Sequence, residues 1–240
     1  MEDLYSFVEK YLEEDFEVES VLSFSPKGSV RKLRHKRSHK RYICRNYPAV
    51  VDAYLALKGV QCPYLPRIYE AACRVSEQQE MLVLEEYIQG DTLEELLQGG
   101  ALESHQVKTI TLQLCRGLYV CHSLGLVHRD IKPENVILQG KRAVLIDFDA
   151  ARLFFGEKNK RKDTQILGTV GYAPPEQYGI SGTDNRADIY AMGVLINEML
   201  TGQHPSRTLA GGRWGHIVSR CTMIQPKKRY ASVHELMEAL

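Results

Sequence analysis

The run His128-Arg129-Asp130-Ile131-Lys132-Pro133-Glu134-Asn135 decides how the rest of the chain is read. It offers a carboxylate, an amine two residues on and an amide five residues on. Asp130 can accept the proton of an attacking hydroxyl, Lys132 can neutralise charge on a phosphate in transfer, and Asn135 can ligate Mg²⁺ through its amide oxygen. His128-Arg129-Asp130 alone would often be no more than a polar surface turn. The full octet is far more specific.

Working outward, an apolar strand over Ala143 to Ile146 ends in Asp147-Phe148-Asp149. A carboxylate at a strand end suits a metal ligand, and a loop-capping Asp is its plain alternative. Lying twelve residues after Asn135, Asp147 reads as the second Mg²⁺ ligand. Next comes Gly168-Thr169-Val170-Gly171-Tyr172-Ala173-Pro174-Pro175-Glu176, then Asp188-Ile189-Tyr190-Ala191-Met192-Gly193 at the start of a buried helix, then Lys228-Arg229-Tyr230. An Asp inside an apolar helix needs partners.

These motifs, in this order, resemble those of the protein kinase superfamily, and the resemblance covers roughly residues 20–240. Lys132 after Asp130, with Thr169 in the activation segment, resembles the serine/threonine branch, and the short chain resembles the compact bacterial kinases. The resemblance implies an α+β, two-lobed fold, with a small β-rich N-lobe and a larger α-helical C-lobe. It implies ATP and Mg²⁺ as cofactors, γ-phosphate transfer to protein hydroxyls, and a protein substrate as partner. Pro174-Pro175-Glu176 stands where the family has Ala-Pro-Glu. The resemblance pairs Glu176 with Arg229, pinning the segment that receives substrate, and bonds Asp188 to the catalytic-loop backbone.

The first half departs from the family. The glycine-rich loop aligns with Leu22-Ser23-Phe24-Ser25-Pro26-Lys27-Gly28-Ser29-Val30, where Gly28 alone is kept. Serine hydroxyls could contact phosphate, but Pro26 removes an N–H donor. The third-strand lysine aligns with Arg45 in Tyr42-Ile43-Cys44-Arg45, and an Arg for Lys exchange is not conservative at a tight site. Lys27 or Lys32 could reach the phosphates instead, as in the with-no-lysine kinases. The helix glutamate aligns with Ala53, beside Asp52. Asp-Phe-Gly has become Asp147-Phe148-Asp149, and Asp tolerates left-handed backbone. Glu85 falls at the gatekeeper position before Glu86-Tyr87-Ile88, where its plain role is an inward salt bridge with Arg45 as a partner. Gly28, Arg45, Lys32 and Glu86 are thus the nucleotide-binding candidates. These departures keep a second reading open, a pseudokinase acting as a nucleotide-binding or scaffold module. A third, a small-molecule phosphotransferase, fits less well with the activation segment through Glu176.

Regulation reads from the same segment. A phosphate on Thr164 or Thr169 could pair with Arg129 and order it.

Composition bounds the rest. The chain has 240 residues, a formal net charge of +1 and 44% hydrophobic content, ordinary for a soluble globular protein. The near-neutral balance argues against a dedicated nucleic-acid binder, and no apolar run approaches the ~20 residues of a membrane span. The acidic start Met1-Glu2-Asp3-Leu4 is not a secretory signal. Six scattered cysteines without a C-x-x-C pair read as reduced thiols of a cytoplasmic protein. Oligomeric state is not legible. Residues 1–19 read as an amphipathic helix with an apolar stripe of Leu4, Phe7, Val8, Tyr11 and Leu12. Residues 20–88 read as the strand-rich lobe and 89–240 as the helical one, a segregation that suggests α+β.

Overall fold

A computed structural model describes residues 4–74, 79–154, 171–178 and 184–240. They form two units, residues 1–62 with 66–88, and residues 63–65 with 89–240.

In the first unit, β1 (Phe16–Ser25), β2 (Gly28–His35), β3 (Arg41–Tyr47), β4 (Ile68–Arg74) and β5 (Glu80–Glu86) make an antiparallel sheet in the order β1-β2-β3-β5-β4. Side chains alternate between faces along each strand. Leu33, Cys44, Leu82 and Leu84 therefore fall on one face, and Ile43, Arg45, Val83 and Glu85 on the other. Helix α1 (Leu4–Asp15) covers the first face, packing Tyr5, Val8 and Leu12 onto Phe16, Leu33, Cys44, Ala72, Leu82 and Leu84. The second helix, α2, is a single short stretch, Asp52–Leu57.

The N-terminal helix differs from its reading in sequence. It stops at Asp15, and Phe16 opens β1. Its buried stripe is turned: Tyr5 points inward, while Leu4, Phe7 and Tyr11 stay exposed. Tyr5 takes the guanidinium of Arg74 over its ring at 4.1 Å, and Glu9 ion-pairs with the same arginine at 3.1 Å. That tertiary anchor selects the face, because an aromatic ring under a cation gains more than a leucine there.

Gly28 has a local structural reason. Its φ is 135°, and a Cβ would lie 2.2 Å from the Asn46 carbonyl oxygen, so only glycine lets β2 start this close to β3.

The second unit is mainly helical: α3 (Leu93–Leu97), α4 (Ser104–Ser123), α5 (Arg186–Thr201), α6 (Gly212–Cys221) and α7 (Val233–Ala239). Five short strands accompany them: β6 (Asp91–Thr92), β7 (Leu126–Val127), β8 (Val136–Gln139), β9 (Arg142–Leu145) and β10 (Arg152–Leu153). Thr92 closes a capping box on α3, its Oγ1 accepting from Glu95 N–H at 3.1 Å while Glu95 accepts from Thr92 N–H at 2.7 Å. Helix α5 is apolar almost all round and forms the centre of this unit. Gly193 lets α6 approach, since a Cβ there would meet the Cys221 Cβ at 2.4 Å.

All six cysteines are free thiols. Burial pushes Cys115 up to about 12 and raises Cys221 as well, so both behave as small apolar groups. Among the described residues, no helix is long and apolar enough to cross a membrane.

Candidate active site

The loop between β7 and β8 carries the octet. Its backbone is held by Asp188, near the start of α5 and fully buried. One carboxylate oxygen accepts from His128 N–H at 2.9 Å, and the other from Arg129 N–H at 2.8 Å. His122 Nε2 adds a third contact at 2.8 Å. Burial pushes the Asp188 carboxyl up. The hydrogen bond and charge of His122, the His128 ring and the Arg129 N–H outweigh it and hold it below its ordinary value.

Arg129 has φ 71°, a left-handed conformation that costs an L-residue about 1–2 kcal/mol. The Asp188 clamp on two successive N–H groups offsets that cost. His128 is buried, and burial lowers its pKa. As the neutral ring it donates from Nε2 to the Ile146 carbonyl at 3.2 Å and accepts the Asp130 N–H at Nδ1, 3.4 Å away. Phe148 packs edge-on against the same ring, centroids 4.9 Å apart. Through His128, the octet is fastened to the chain that follows β9.

The functional ends gather here. Asp130 Oδ2 lies 3.2 Å from Lys132 Nζ and accepts from Asn135 Nδ2 at 3.0 Å. Asn135 Nδ2 also donates to the Asp130 carbonyl at 2.8 Å. Its amide is thereby oriented, and Oδ1 faces away from Asp130. Ile146 N–H donates to the Asn135 carbonyl at 2.9 Å, which brings Asp147 next to Asn135 along the chain path. Asp147 itself has φ 68°. The left-handed residue of Asp147-Phe148-Asp149 is therefore the first one. Asp149 keeps a negative φ, and its position makes no demand for glycine.

The oxygen donors Asn135 Oδ1 and the Asp147 carboxylate suit a hard cation such as Mg²⁺. Mg²⁺ is commonly held by one or two protein oxygens together with phosphates.

The segment end is pinned from below. Glu176 receives Arg229 Nη1 at 2.5 Å and Nη2 at 2.9 Å, both ends buried. Arg229 also donates to the carbonyls of Met223, Arg186 and Ile224 at 2.7–3.2 Å. Gln177, which sequence reasoning passed over, is 1% exposed and donates to the Arg129 carbonyl at 2.8 Å. Thr164 and Thr169 lie outside the described residues.

The nucleotide-binding candidates sit on the first unit. Arg45 is 6% exposed and Glu85 3%. Arg45 Nε donates to Glu85 Oε1 at 2.8 Å and Nη1 reaches Tyr47 Oη at 3.4 Å, while Tyr47 donates to Tyr54 at 3.1 Å. Helix α2 presents buried Ala53 and Tyr54 where the family resemblance implies a glutamate. The cation of β3 is thus matched by a carboxylate on β5, within the sheet. Lys32 lies on the same face as Arg45. It meets Glu19 at 3.2 Å and stands 4.5 Å over the Tyr87 ring. Burial pushes Glu19 up, and its bonds to Arg41 and Lys32 more than reverse this. Glu86 Oε2 accepts from Arg67 N–H at 3.2 Å.

A five-stranded antiparallel sheet in one unit and a mainly helical second unit define an α+β fold. Residues 26–238 match the family described as "Protein kinase domain", and the chain belongs to that family. It is 30% identical over 184 residues to serine/threonine-protein kinase PknA of Nostoc sp., covering 67% of this chain and 32% of that protein. It is 28% identical over 213 residues to serine/threonine-protein kinase PknB of Mycolicibacterium smegmatis, covering 87% and 32%. It is 40% identical over 122 residues to serine/threonine-protein kinase PknL of Mycobacterium tuberculosis, covering 50% and 30%. The chain thus spans about a third of the length of these curated relatives.

Proposed function

We propose that the chain is an ATP- and Mg²⁺-dependent serine/threonine protein kinase that moves the γ-phosphate of ATP to a protein hydroxyl. The observation that carries this reading is the Asp130 carboxylate, bonded to Asn135 at 3.0 Å and Lys132 at 3.2 Å, directly after a left-handed Arg129 pinned by a buried Asp188. Such preorganised charge is what phosphoryl transfer asks of a protein, since the reaction is mostly positioning and electrostatics.

In this reading Asp130 takes the proton of the attacking hydroxyl. The Asn135 amide aims its carboxylate, and Lys132 offsets negative charge beside it. Asn135 Oδ1 and Asp147 would hold Mg²⁺, which when bound neutralises charge on the phosphates. Lys32 is the cation of the first unit offered to phosphate: its ion pair with Glu19 is part-exposed, with side chains 21% and 22% accessible, whereas Arg45 is buried against Glu85. Glu176 and Arg229 fix the segment that receives the protein substrate, and a phosphate on Thr164 or Thr169 would add a partner for Arg129. Free thiols fit a reducing, cytoplasmic setting.

A second reading, a kinase-fold scaffold without transfer activity, is favoured by the buried Arg45–Glu85 pair. The experiment that separates the two is transfer of labelled γ-phosphate from ATP·Mg to the protein itself and to a generic basic protein, with Asp130→Ala as control. Label in the parent that vanishes in the variant supports the kinase. Equal background in both, across several metals, supports the scaffold.

A further inference from the structure

The left-handed turn before Asp130 is gripped from both sides, and only one of those grips was legible in the motifs. On its amino side, Arg129 N–H donates to Asp188. On its carboxyl side, the Arg129 carbonyl accepts from Gln177 Nε2 at 2.8 Å. That carbonyl belongs to the planar peptide whose other end is the Asp130 nitrogen. Rotating the plane swings Asp130, so whatever holds the carbonyl also aims the carboxylate. A left-handed non-glycine residue keeps its conformation only where its surroundings determine it.

Gln177 is well placed to do this. It lies on the 3₁₀ turn Pro175–Tyr178 and is 1% exposed. Its own N–H donates to the Pro174 carbonyl at 2.9 Å, and its neighbour Glu176 is held doubly by Arg229. The amide is therefore presented from a stiff support. Its chemistry is specific as well. A carbonyl oxygen needs a donor opposite it, and a carboxylate of the same shape would set oxygen against oxygen.

We infer that Gln177 is a positioning residue for phosphoryl transfer: its side-chain amide fixes the Arg129–Asp130 peptide plane and links the end of the activation segment to the aim of the Asp130 carboxylate. The consequence for rate rests on the kinase reading above; the hold on the peptide plane does not.

The test uses Gln177→Glu, which keeps the shape and removes the donor, and Gln177→Met, which has no donor at any pH. Two measurements are made on the whole chain. One is kcat and KM for ATP and for a basic protein substrate between about pH 5.5 and 8.5, the range in which a buried carboxyl can titrate. The other is amide hydrogen exchange over residues 127–132 in the nucleotide-free protein. A displacement of the reacting group of about 1 Å costs on the order of 10²-fold. The expected result is a fall in kcat of roughly tenfold to a hundredfold in both variants, with KM for ATP nearly unchanged. Exchange over 127–132 should quicken.

The Gln177→Glu deficit should narrow as pH falls, because the protonated carboxyl regains an O–H donor for the Arg129 carbonyl. The Gln177→Met deficit should stay flat. Parental kcat and parental exchange in both variants would overturn the inference. So would equal, pH-independent losses accompanied by a general drop in thermal stability, which would mark a merely structural residue. If the parent transfers no phosphate, the kinase reading fails by itself. Exchange over 127–132 then decides the clamp alone: faster exchange upholds it and unchanged exchange overturns it.

Discussion

Glu85→Gln should destabilise the first unit heavily, although it alters one atom. Arg45 and Glu85 are 6% and 3% exposed, and their closest atoms are 2.8 Å apart. At an effective dielectric constant of about 20, unit charges at that separation attract by roughly 6 kcal/mol. Much of this is spent on taking both ions out of water, so the pair contributes little net stability. Removing one partner leaves the desolvation cost of the other in place, and a loss of about 3–5 kcal/mol follows. For a chain of this size, each kcal/mol corresponds to about 2–4 °C, so Tm should fall by roughly 10 °C. The double variant Arg45→Met with Glu85→Leu removes both charges and keeps the volume. It should be neutral or stabilised by about 1–4 kcal/mol. Urea unfolding followed by circular dichroism measures all three proteins. A Glu85→Gln loss below about 1 kcal/mol would refute the reasoning, because it would mean that solvent reaches the pair. A double variant as weak as the single one would refute it as well, because the cost would then lie in packing and not in an uncompensated charge.

Three further outcomes follow from the second unit and one from the hairpin. The Asp188 carboxyl is held below its ordinary value, so its stability is present above the unfolded value of about 3.9 and is lost as pH falls through the folded one. Asp188→Asn should therefore weaken the fold at pH 7 and flatten the acid limb of the stability curve, as read by thermal melts from pH 7 down to 2. Burial raises Glu198, against the pull of its bond from Tyr172. The sign is opposite: its stability is present below the unfolded value of about 4.3 and is lost as pH rises through the folded one. Glu198→Gln should match or exceed the parent in Tm at pH 7, with the gap closing toward pH 4. Arg229→Lys cannot reproduce two parallel bonds to Glu176 together with three to carbonyls, and should cost about 3–5 kcal/mol in denaturant titration. Gly28→Ala meets the Asn46 carbonyl at a positive φ. It should cost more than about 1 kcal/mol and speed hydrogen exchange across β1 and β2.

The two-part architecture was legible because its signals are local. The apolar run that opens α5 and the change from strand-rich to helical texture after residue 88 are each encoded within short stretches, so the α+β segregation could be read from chain order. The family resemblance went further and implied Glu176 and Arg229 as partners across 53 positions, which no local pattern could supply. Helix α1 marks where local reading stops. Leu4, Phe7 and Tyr11 satisfied the helical period as well as Tyr5 did, and the choice fell to Arg74, far along the chain. Glutamate at 85 was different: its inward salt bridge to Arg45 was read from the sequence, and the depth of that burial, 3% and 6% exposure, came from β3 and β5 becoming neighbours.

Residue types and their order thus disclosed the family and the chemical inventory of the loop around Asp130. Which residue bears the left-handed turn, which face of α1 is buried, and which amide holds the Arg129 carbonyl were settled by folding. Each depends on groups brought together from distant parts of the chain, and a hydrogen bond or a desolvated charge has no meaning until its partner and its burial exist.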